Sequence, residues 1–156
     1  MLTEDMKRIV REQPLGYVAT IAADGAPSVS PKGSFVVVDD ATIAFGEIRS
    51  PATVRNLRAE PRVEVNFIDP FVRKGYRFAG TATVTARGEP GFEKLHAHFH
   101  SSSLAPRMRA IVSITVKKVL PLMSPVYDDG SRTEPEVRRG WTTRFRKVQP
   151  NERFEE

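Results

Sequence analysis

The sequence predicts a mainly β fold in which one antiparallel sheet closes, or nearly closes, into a barrel with helices at its ends. Runs rich in β-branched and aromatic residues are separated by short turn-forming segments. Apolar and polar residues alternate with period two at 63–67, as in a half-buried strand. Because no repeat or second core is visible, the 156 residues are expected to form one domain.

Composition excludes several classes of protein. Hydrophobic residues make up 40% and charged residues 28% of the chain, which is ordinary for a globular protein. The absence of cysteine excludes disulfides and thiolate chemistry. The net charge of +5 favours an anionic partner, either a nucleic acid or a phosphorylated small molecule. Residues 1–8 lack the apolar core of a signal peptide and no apolar run is long enough to span a membrane, so we expect a cytoplasmic protein.

The first half is expected to form one helix and three strands. These elements are predicted at residues 3–12, 16–22, 28–38 and 42–46. Thr3 is the expected N-cap of the helix, and Pro14 is expected to end it. Within the long second strand, Pro31 and Gly33 require either a bend or a place at the edge of the sheet.

The second half is expected to continue with two helices and three strands. The helices are predicted at 50–59 and 89–100, and the strands at 62–69, 76–87 and 111–116. Gly80 permits a bulge in the middle strand of this set. Residues 124–156 are interpreted as a basic tail, rich in turns and with little periodicity.

The segment at 49–58 predicts a short helix whose first turn suits an anion. Ser50 is a good N-cap, and Pro51 fits the first helical position, where its missing N–H costs nothing. Free amides and the helix dipole attract phosphate there, and Arg49, Thr53 and Arg55 add charge and a hydroxyl. The alternative, which this segment alone favours, is an ordinary capped surface helix with its arginines in solvent.

A second candidate is the pentapeptide at 30–34. Lys32 offers a cation, Ser30 and Ser34 offer hydroxyls, and Gly33 lets a flat ligand approach the backbone. The alternative is a kinked edge strand on which Lys32 guards against aggregation. Because one hairpin separates this segment from the basic helix, both can face one cleft.

Taken together, these segments resemble the pyridoxamine 5′-phosphate oxidase-like flavoproteins. The resemblance rests on the order of the SPKGS segment at 30–34, the NLRAEPRV segment at 56–63, the VNFID strand at 65–69 and the GYRFAG segment at 75–80. It covers about residues 8–120 and implies an antiparallel Greek-key split β-barrel that binds FMN.

The resemblance also implies the places of the cofactor's parts. It puts the FMN phosphate near Arg49, Ser50 and Thr53, with Asn56 on the same helical face. Many relatives carry a lysine at the position of Thr53. The polar edge of the flavin would lie along Lys32, Gly33 and Ser34. There the Lys32 ammonium would stabilise the anionic reduced flavin.

The function that the resemblance implies is FMN-dependent oxidoreduction of an unassigned small substrate, with a reduced nicotinamide as one candidate electron donor. The oxidase's basic C-terminal motif has no convincing counterpart here, so oxidation of a B6 vitamer is not expected. A homodimer with its two flavin sites at the interface is implied. In it, the tail would carry Trp141 and Arg144 to the partner's flavin, unless Trp141 packs on its own barrel. No residue is identified as catalytic.

Other interpretations stay open. Some relatives bind deazaflavin F420 or haem. A basic OB-type barrel that binds single-stranded nucleic acid would also fit the charge, although few aromatic residues are placed for stacking. His96, His98 and His100 lie at spacings that can bind zinc, but no fourth ligand is visible, so we expect no metal site.

Overall fold

The computed structural model describes residues 1–13 and 15–149, which contain four α-helices and seven strands. The helices are α1 (Glu4–Glu12), α2 (Pro51–Ala59), α3 (Phe92–His96) and α4 (Glu134–Val148). The strands are β1 (Gly16–Ile21), β2 (Pro27–Lys32), β3 (Phe35–Val37), β4 (Thr42–Glu47), β5 (Arg62–Asp69), β6 (Lys74–Ala86) and β7 (Ala110–Met123). Thr3 caps α1 as predicted, whereas Pro14 and residues 150–156 of the predicted tail lie outside the described residues.

All neighbouring strands are antiparallel, in the order β2-β1-β5-β6-β7-β4-β3. The sheet curls into a half barrel, which confirms the predicted antiparallel split-barrel fold. Register shifts by one residue between Ala79 and Gly80, so the predicted bulge is confirmed. A Cβ on Gly80 would lie 2.2 Å from the carbonyl oxygen of Thr115, and this close approach of the two backbones requires glycine.

The predicted single strand at 28–38 is wrong because the chain breaks at Gly33 and Ser34. β2 pairs with β1 at one edge of the sheet, and β3 pairs with β4 at the other edge. The Ser34 hydroxyl holds the crossing by donating to the Gly46 carbonyl (3.0 Å) and accepting from the Gly46 N–H (3.1 Å). The expectation that Pro31 and Gly33 require a bend or an edge position is met, since Pro31, which has no N–H to donate, lies on the edge strand β2 and the chain bends after it at Gly33.

The main core lies between the curled sheet and α1. Inward residues of five strands form it with Ile9 and Val10 of α1; they include Val18, Ile43, Phe45, Val63, Val65, Phe67, Phe78, Val112 and Ile114. The ring centroid of Phe67 lies 4.8 Å from that of Phe35 and 5.9 Å from that of Phe78. A Cβ on Gly16 would lie 2.5 Å from the Phe35 ring, so β1 needs glycine where these aromatic rings meet.

A smaller core holds the segment between β6 and β7 against β4. Its members are Ala44, Phe92, Phe99, Ala105, Met108 and Ile111. The helix predicted at 89–100 is shorter than expected, because α3 covers only Phe92–His96 and a 3₁₀ turn follows at Ala97–Phe99. Gly91 has φ of +89°, which a continuous α-helix does not allow. A second 3₁₀ turn, Ala105–Arg107, leads into β7.

The prediction of a turn-rich tail is wrong for residues 134–148, which form the 15-residue helix α4. Thr133 and Glu136 form a capping box at its start. The periodicity is present but sparse, since Val137, Trp141 and Phe145 recur every four residues among charged ones. Among helices in the described part of the chain, none combines the length and apolar character needed to cross a bilayer.

Candidate functional site

An open groove of about 390 Å³ lies where the end of β2, the end of β4, the start of α2 and the turn at 104–107 meet. Its lining residues are Pro31, Lys32, Gly33, Ser34, Gly46, Ile48, Arg49, Ser50, Leu104 and Arg107. The fold therefore brings the two segments singled out in the sequence, 30–34 and 49–50, to one concave surface. The break between β2 and β3 makes this possible, because it turns the first segment across the mouth of the half barrel.

Lys32 is the central side chain of this groove. It is only 6% exposed, and its Nζ donates to the hydroxyls of Ser30 (2.5 Å) and Ser50 (2.7 Å). Nζ also lies 5.9 Å from the ring centroid of Phe45. Burial lowers the pKa of Lys32, while the negative charge of Glu47 opposes that shift. The ammonium is thus fixed in direction by two neutral hydroxyls.

Ser50 stands at the N-cap of α2, but its hydroxyl does not play the predicted capping role. No amide of α2 donates to it, and the hydroxyl instead accepts from Lys32. The backbone N–H of Ser50 donates to Oε1 of Glu47. The first turn of α2 contains no acidic residue, so its positive dipole end has no carboxylate on the helix itself.

Sequence reasoning singled out neither Arg107, which lines the groove, nor Glu47, which lies next to it and accepts from the Ser50 N–H. Glu47 is 4% exposed, and Oε1 lies 3.6 Å from Nη2 of Arg109. The sequence contains a signal that Glu47 is buried, because Glu47 follows the inward Phe45 by two residues and so lies on the same face of β4. Arg107 enters the groove from a 3₁₀ turn, which has no periodicity from which to predict its direction.

The predicted residues Thr53 and Asn56 are not among those that line the groove. Thr53 is buried, and Nδ2 of Asn56 donates to the hydroxyl of Thr20 at 3.0 Å. The hydrogen bond of Asn56 joins α2 to β1. A direct contact between either residue and a phosphate stays a prediction.

Trp141 and Arg144 lie on α4, which packs at the turn between β5 and β6. The indole of Trp141 lies between two cations, with the guanidinium carbons of Arg73 and Arg144 4.8 and 5.2 Å from its ring centroid. Phe145 on the same helix contacts Phe71 at a centroid distance of 5.2 Å. Within one protomer Trp141 therefore packs on its own chain, and its contact with a partner's site stays a prediction.

The histidines make local contacts within the segment that forms one wall of the groove. His96 stacks on Phe92 with ring centroids 5.3 Å apart, and its Nε2 donates to the Ala105 carbonyl at 2.9 Å. Nδ1 of His100 donates to the Ala97 carbonyl at 3.1 Å. Across residues 1–13 and 15–149, no three histidine, aspartate or glutamate side chains are grouped to hold a metal ion.

Replacing His96 and His100 together with glutamine is expected to leave flavin binding nearly unchanged. Glutamine keeps an N–H that reaches a carbonyl, and neither histidine lines the groove. Flavin titration and metal analysis of both proteins check this. A stoichiometric metal in the wild type that is lost in the double variant would contradict it.

Comparison with known proteins shows the family and the fold of this chain. The family model described as pyridoxamine 5′-phosphate oxidase matches residues 2–122, which include the whole groove. The chain belongs to this family. Among solved structures, HupZ of Group A Streptococcus is 31% identical with a TM-score of 0.70, and the match covers 80% of this chain and 96% of HupZ.

More distant structures share the fold of this family member. An FMN-binding protein of Syntrophomonas wolfei is 11% identical with a TM-score of 0.66, over 78% of this chain and 86% of that protein. An F420 reductase is 19% identical with a TM-score of 0.56, over 76% and 98% of the two chains. No curated protein shows significant similarity to the chain.

Proposed function

We propose that this protein is an FMN-binding flavoprotein and an oxidoreductase that acts on a small substrate yet to be assigned. One observation carries the proposal. The buried Lys32 ammonium is aimed by two hydroxyls, in a groove whose other charged lining residues are the cations Arg49 and Arg107. Such a surface suits a ligand with a terminal anion and a polar flat ring.

The donor set of the groove fits the two ends of FMN. A dianionic phosphate suits Arg49 and the positive dipole end of α2, whose first turn carries no acidic side chain. A flavin ring presents carbonyl and ring-nitrogen acceptors, which suit Lys32 and the backbone near Gly33. The groove's lining residues in the described chain include no His, Cys, Met or Tyr to ligate haem iron, which favours a flavin over haem.

The residues of this chain orient and polarise, whereas hydride and electron transfer belong to the flavin when it is bound. Ser30 and Ser50 hold the Lys32 ammonium before any ligand arrives, so little reorganisation is needed when negative charge develops beside it. Arg49 supplies a second positive charge at the phosphate end of the groove.

Titration of the purified protein with FMN tests the proposal. We expect a stoichiometry of one flavin per chain, a yellow complex, and affinity for FMN several-fold or more above that for riboflavin, which lacks the phosphate. Equal affinity for the two flavins would contradict the assigned phosphate site. Failure to bind FMN, with binding of F420, haem or an oligonucleotide with steep salt dependence, would replace the proposal with that alternative.

Replacing Arg49 with alanine is expected to weaken FMN binding about tenfold, because one charge-assisted contact to phosphate is lost. Riboflavin affinity should change little. Arg8→Ala is the matched control, since Arg8 is also partly exposed but pairs with Asp5 and Glu12 on α1. Equal losses for FMN in the two variants would show that only net charge matters.

We also propose that the protein forms a homodimer with its flavin sites at the interface. Four large apolar side chains, Tyr17, Val29, Ile68 and Leu120, are exposed on one face of the sheet. Pro31 pairs with Tyr17 across β1 and β2 and also lines the groove, so a partner covering this face would border the groove.

Ending the chain before Pro135 tests whether α4 contributes to the site. We expect lower FMN affinity and less quenching of flavin fluorescence, because Trp141 and Arg144 are removed. The shortened chain also loses the ion pair between Arg138 Nη2 and Asp69 Oδ2, which are 3.2 Å apart. Trp141→Leu keeps that ion pair and therefore tests the indole alone. Normal FMN binding by the shortened chain would remove α4 from the site, and a flavin-loaded monomer in light scattering would refute the shared interface.

A further inference from the structure

One buried carboxylate lies next to the groove, in contact with Ser50, and flavin binding as described above does not require it. Glu47 ends β4 and is 4% exposed, although it stands beside a surface that is otherwise cationic. Its nearest cationic partner is Arg109, at 3.6 Å, and the Arg109 side chain is 63% exposed. A solvated guanidinium at that distance screens the carboxylate only in part.

Ser50 joins this carboxylate to the central cation of the groove. Its hydroxyl accepts from Lys32, and its N–H donates to Glu47. The N-terminal end of α2 is where an anion is most stable, because the amides there lack helical partners. The N-cap amide is therefore already satisfied by an anion that belongs to the protein.

We propose that Glu47 is a specificity-determining residue, whose carboxylate acts as an internal counter-charge and limits how much negative charge the groove accepts from a ligand. The inference rests on the proposed flavin site and concerns its preference among anions. A ligand dianion at the start of α2 would lie near this carboxylate, which is buried at the end of β4 and accepts from the Ser50 N–H. Like charges at such a site oppose binding.

Glu47→Gln isolates the charge, because the glutamine carbonyl still accepts from the Ser50 N–H. We expect FMN affinity to rise about tenfold while riboflavin affinity stays within twofold. Glu12→Gln is the matched control, since Glu12 is an exposed carboxylate on α1 that pairs with Arg8 at 2.6 Å. It should change neither affinity. Glu47→Ala also removes the acceptor, and FMN affinity should then rise less than in Glu47→Gln.

Inorganic phosphate serves as a second probe, in the protein without flavin. Titration followed by phosphorus NMR should show tighter phosphate binding in Glu47→Gln than in wild type and Glu12→Gln. If Glu47→Gln binds phosphate more tightly but no variant binds flavin, the role of Glu47 is supported and the flavin proposal is overturned. Unchanged or weaker binding of both FMN and phosphate in Glu47→Gln, with circular dichroism like the wild type, would overturn the role of Glu47.

Discussion

Replacing Lys32 with methionine is expected to weaken FMN binding by about 10- to 100-fold without lowering the free energy of unfolding. The ammonium is the only cation of the groove that is both buried and fixed by hydrogen bonds, to Ser30 and Ser50, among the described residues. A charge-assisted hydrogen bond to a ligand contributes about 1.5–3 kcal/mol, which corresponds to that range. Methionine is unbranched and one atom shorter than lysine, so it keeps the apolar stem and removes the charged ammonium group.

The burial of Lys32 is the reason why its replacement is not expected to lower the free energy of unfolding. Burial lowers the pKa of Lys32, so between its folded and unfolded values the unfolded chain binds more protons and stability rises with pH. Below the folded-state pKa of Lys32, burial of the charged ammonium lowers the free energy of unfolding by its full amount. This destabilisation fades as the pH rises from the folded-state pKa to the unfolded-state pKa. The stability advantage of Lys32→Met should therefore be largest at neutral pH and narrow in alkali.

Lys7→Met provides a control with the opposite outcome. Lys7 is also a largely covered lysine, with a side chain 13% exposed, but it pairs with Glu4 at 2.8 Å and Asp40 at 2.6 Å. Its replacement should lower stability and leave FMN affinity unchanged. Urea unfolding and flavin titration of the two variants measure both quantities. A Lys32→Met protein that loses stability but retains FMN affinity would assign Lys32 a purely structural role.

Replacing Phe67 with alanine is expected to lower the free energy of unfolding by about 3–5 kcal/mol. Phe67 is fully buried on β5 and contacts the rings of Phe35 and Phe78. These contacts join an edge strand, a central strand and the β1 backbone at Gly16, so the cavity would be bordered by aromatic rings and backbone. Through Phe35, the same change loosens the crossing that shapes the groove.

Urea denaturation at constant pH measures this loss. Val148→Ala is a suitable control because Val148 is 70% exposed at the end of α4, and its truncation should change stability by less than 0.5 kcal/mol, in the way of surface substitutions. A Phe67→Ala protein within about 1 kcal/mol of the wild type would mean that this core repacks easily and does not fix the groove.

Much of the fold was predictable because local patterns and tertiary packing agree. β5 alternates apolar and polar residues along its length, and its inward positions at Val63, Val65 and Phe67 are the buried ones. α2 begins after Ser50 and ends before Pro61 as its sequence indicates. By contrast, the break at Gly33 occurs because β2 and β3 pair at opposite edges of the sheet. A short stretch of sequence contains no information about that long-range pairing. α4 was missed because few apolar residues mark its inner face.

The site was predictable only where the residue type itself suggests chemistry. Lys32, Arg49 and Ser50 were singled out in the sequence and line one groove, and their contact with a ligand stays a prediction. The hydrogen-bond partners of these polar groups were not predictable. The Ser50 hydroxyl accepts from Lys32, and the Ser50 N–H donates to Glu47. Arg107 reaches the groove only because the smaller core seats its 3₁₀ turn against β4 and β7.

A crystal structure of the protein grown with FMN tests the central claim most directly. We expect one flavin per chain in the groove, with its phosphate in contact with Arg49 and the first turn of α2, and its polar ring edge within hydrogen-bond distance of Lys32 Nζ. A flavin bound elsewhere, or one bound in the groove with its phosphate directed away from Arg49 and α2, would contradict the proposed site.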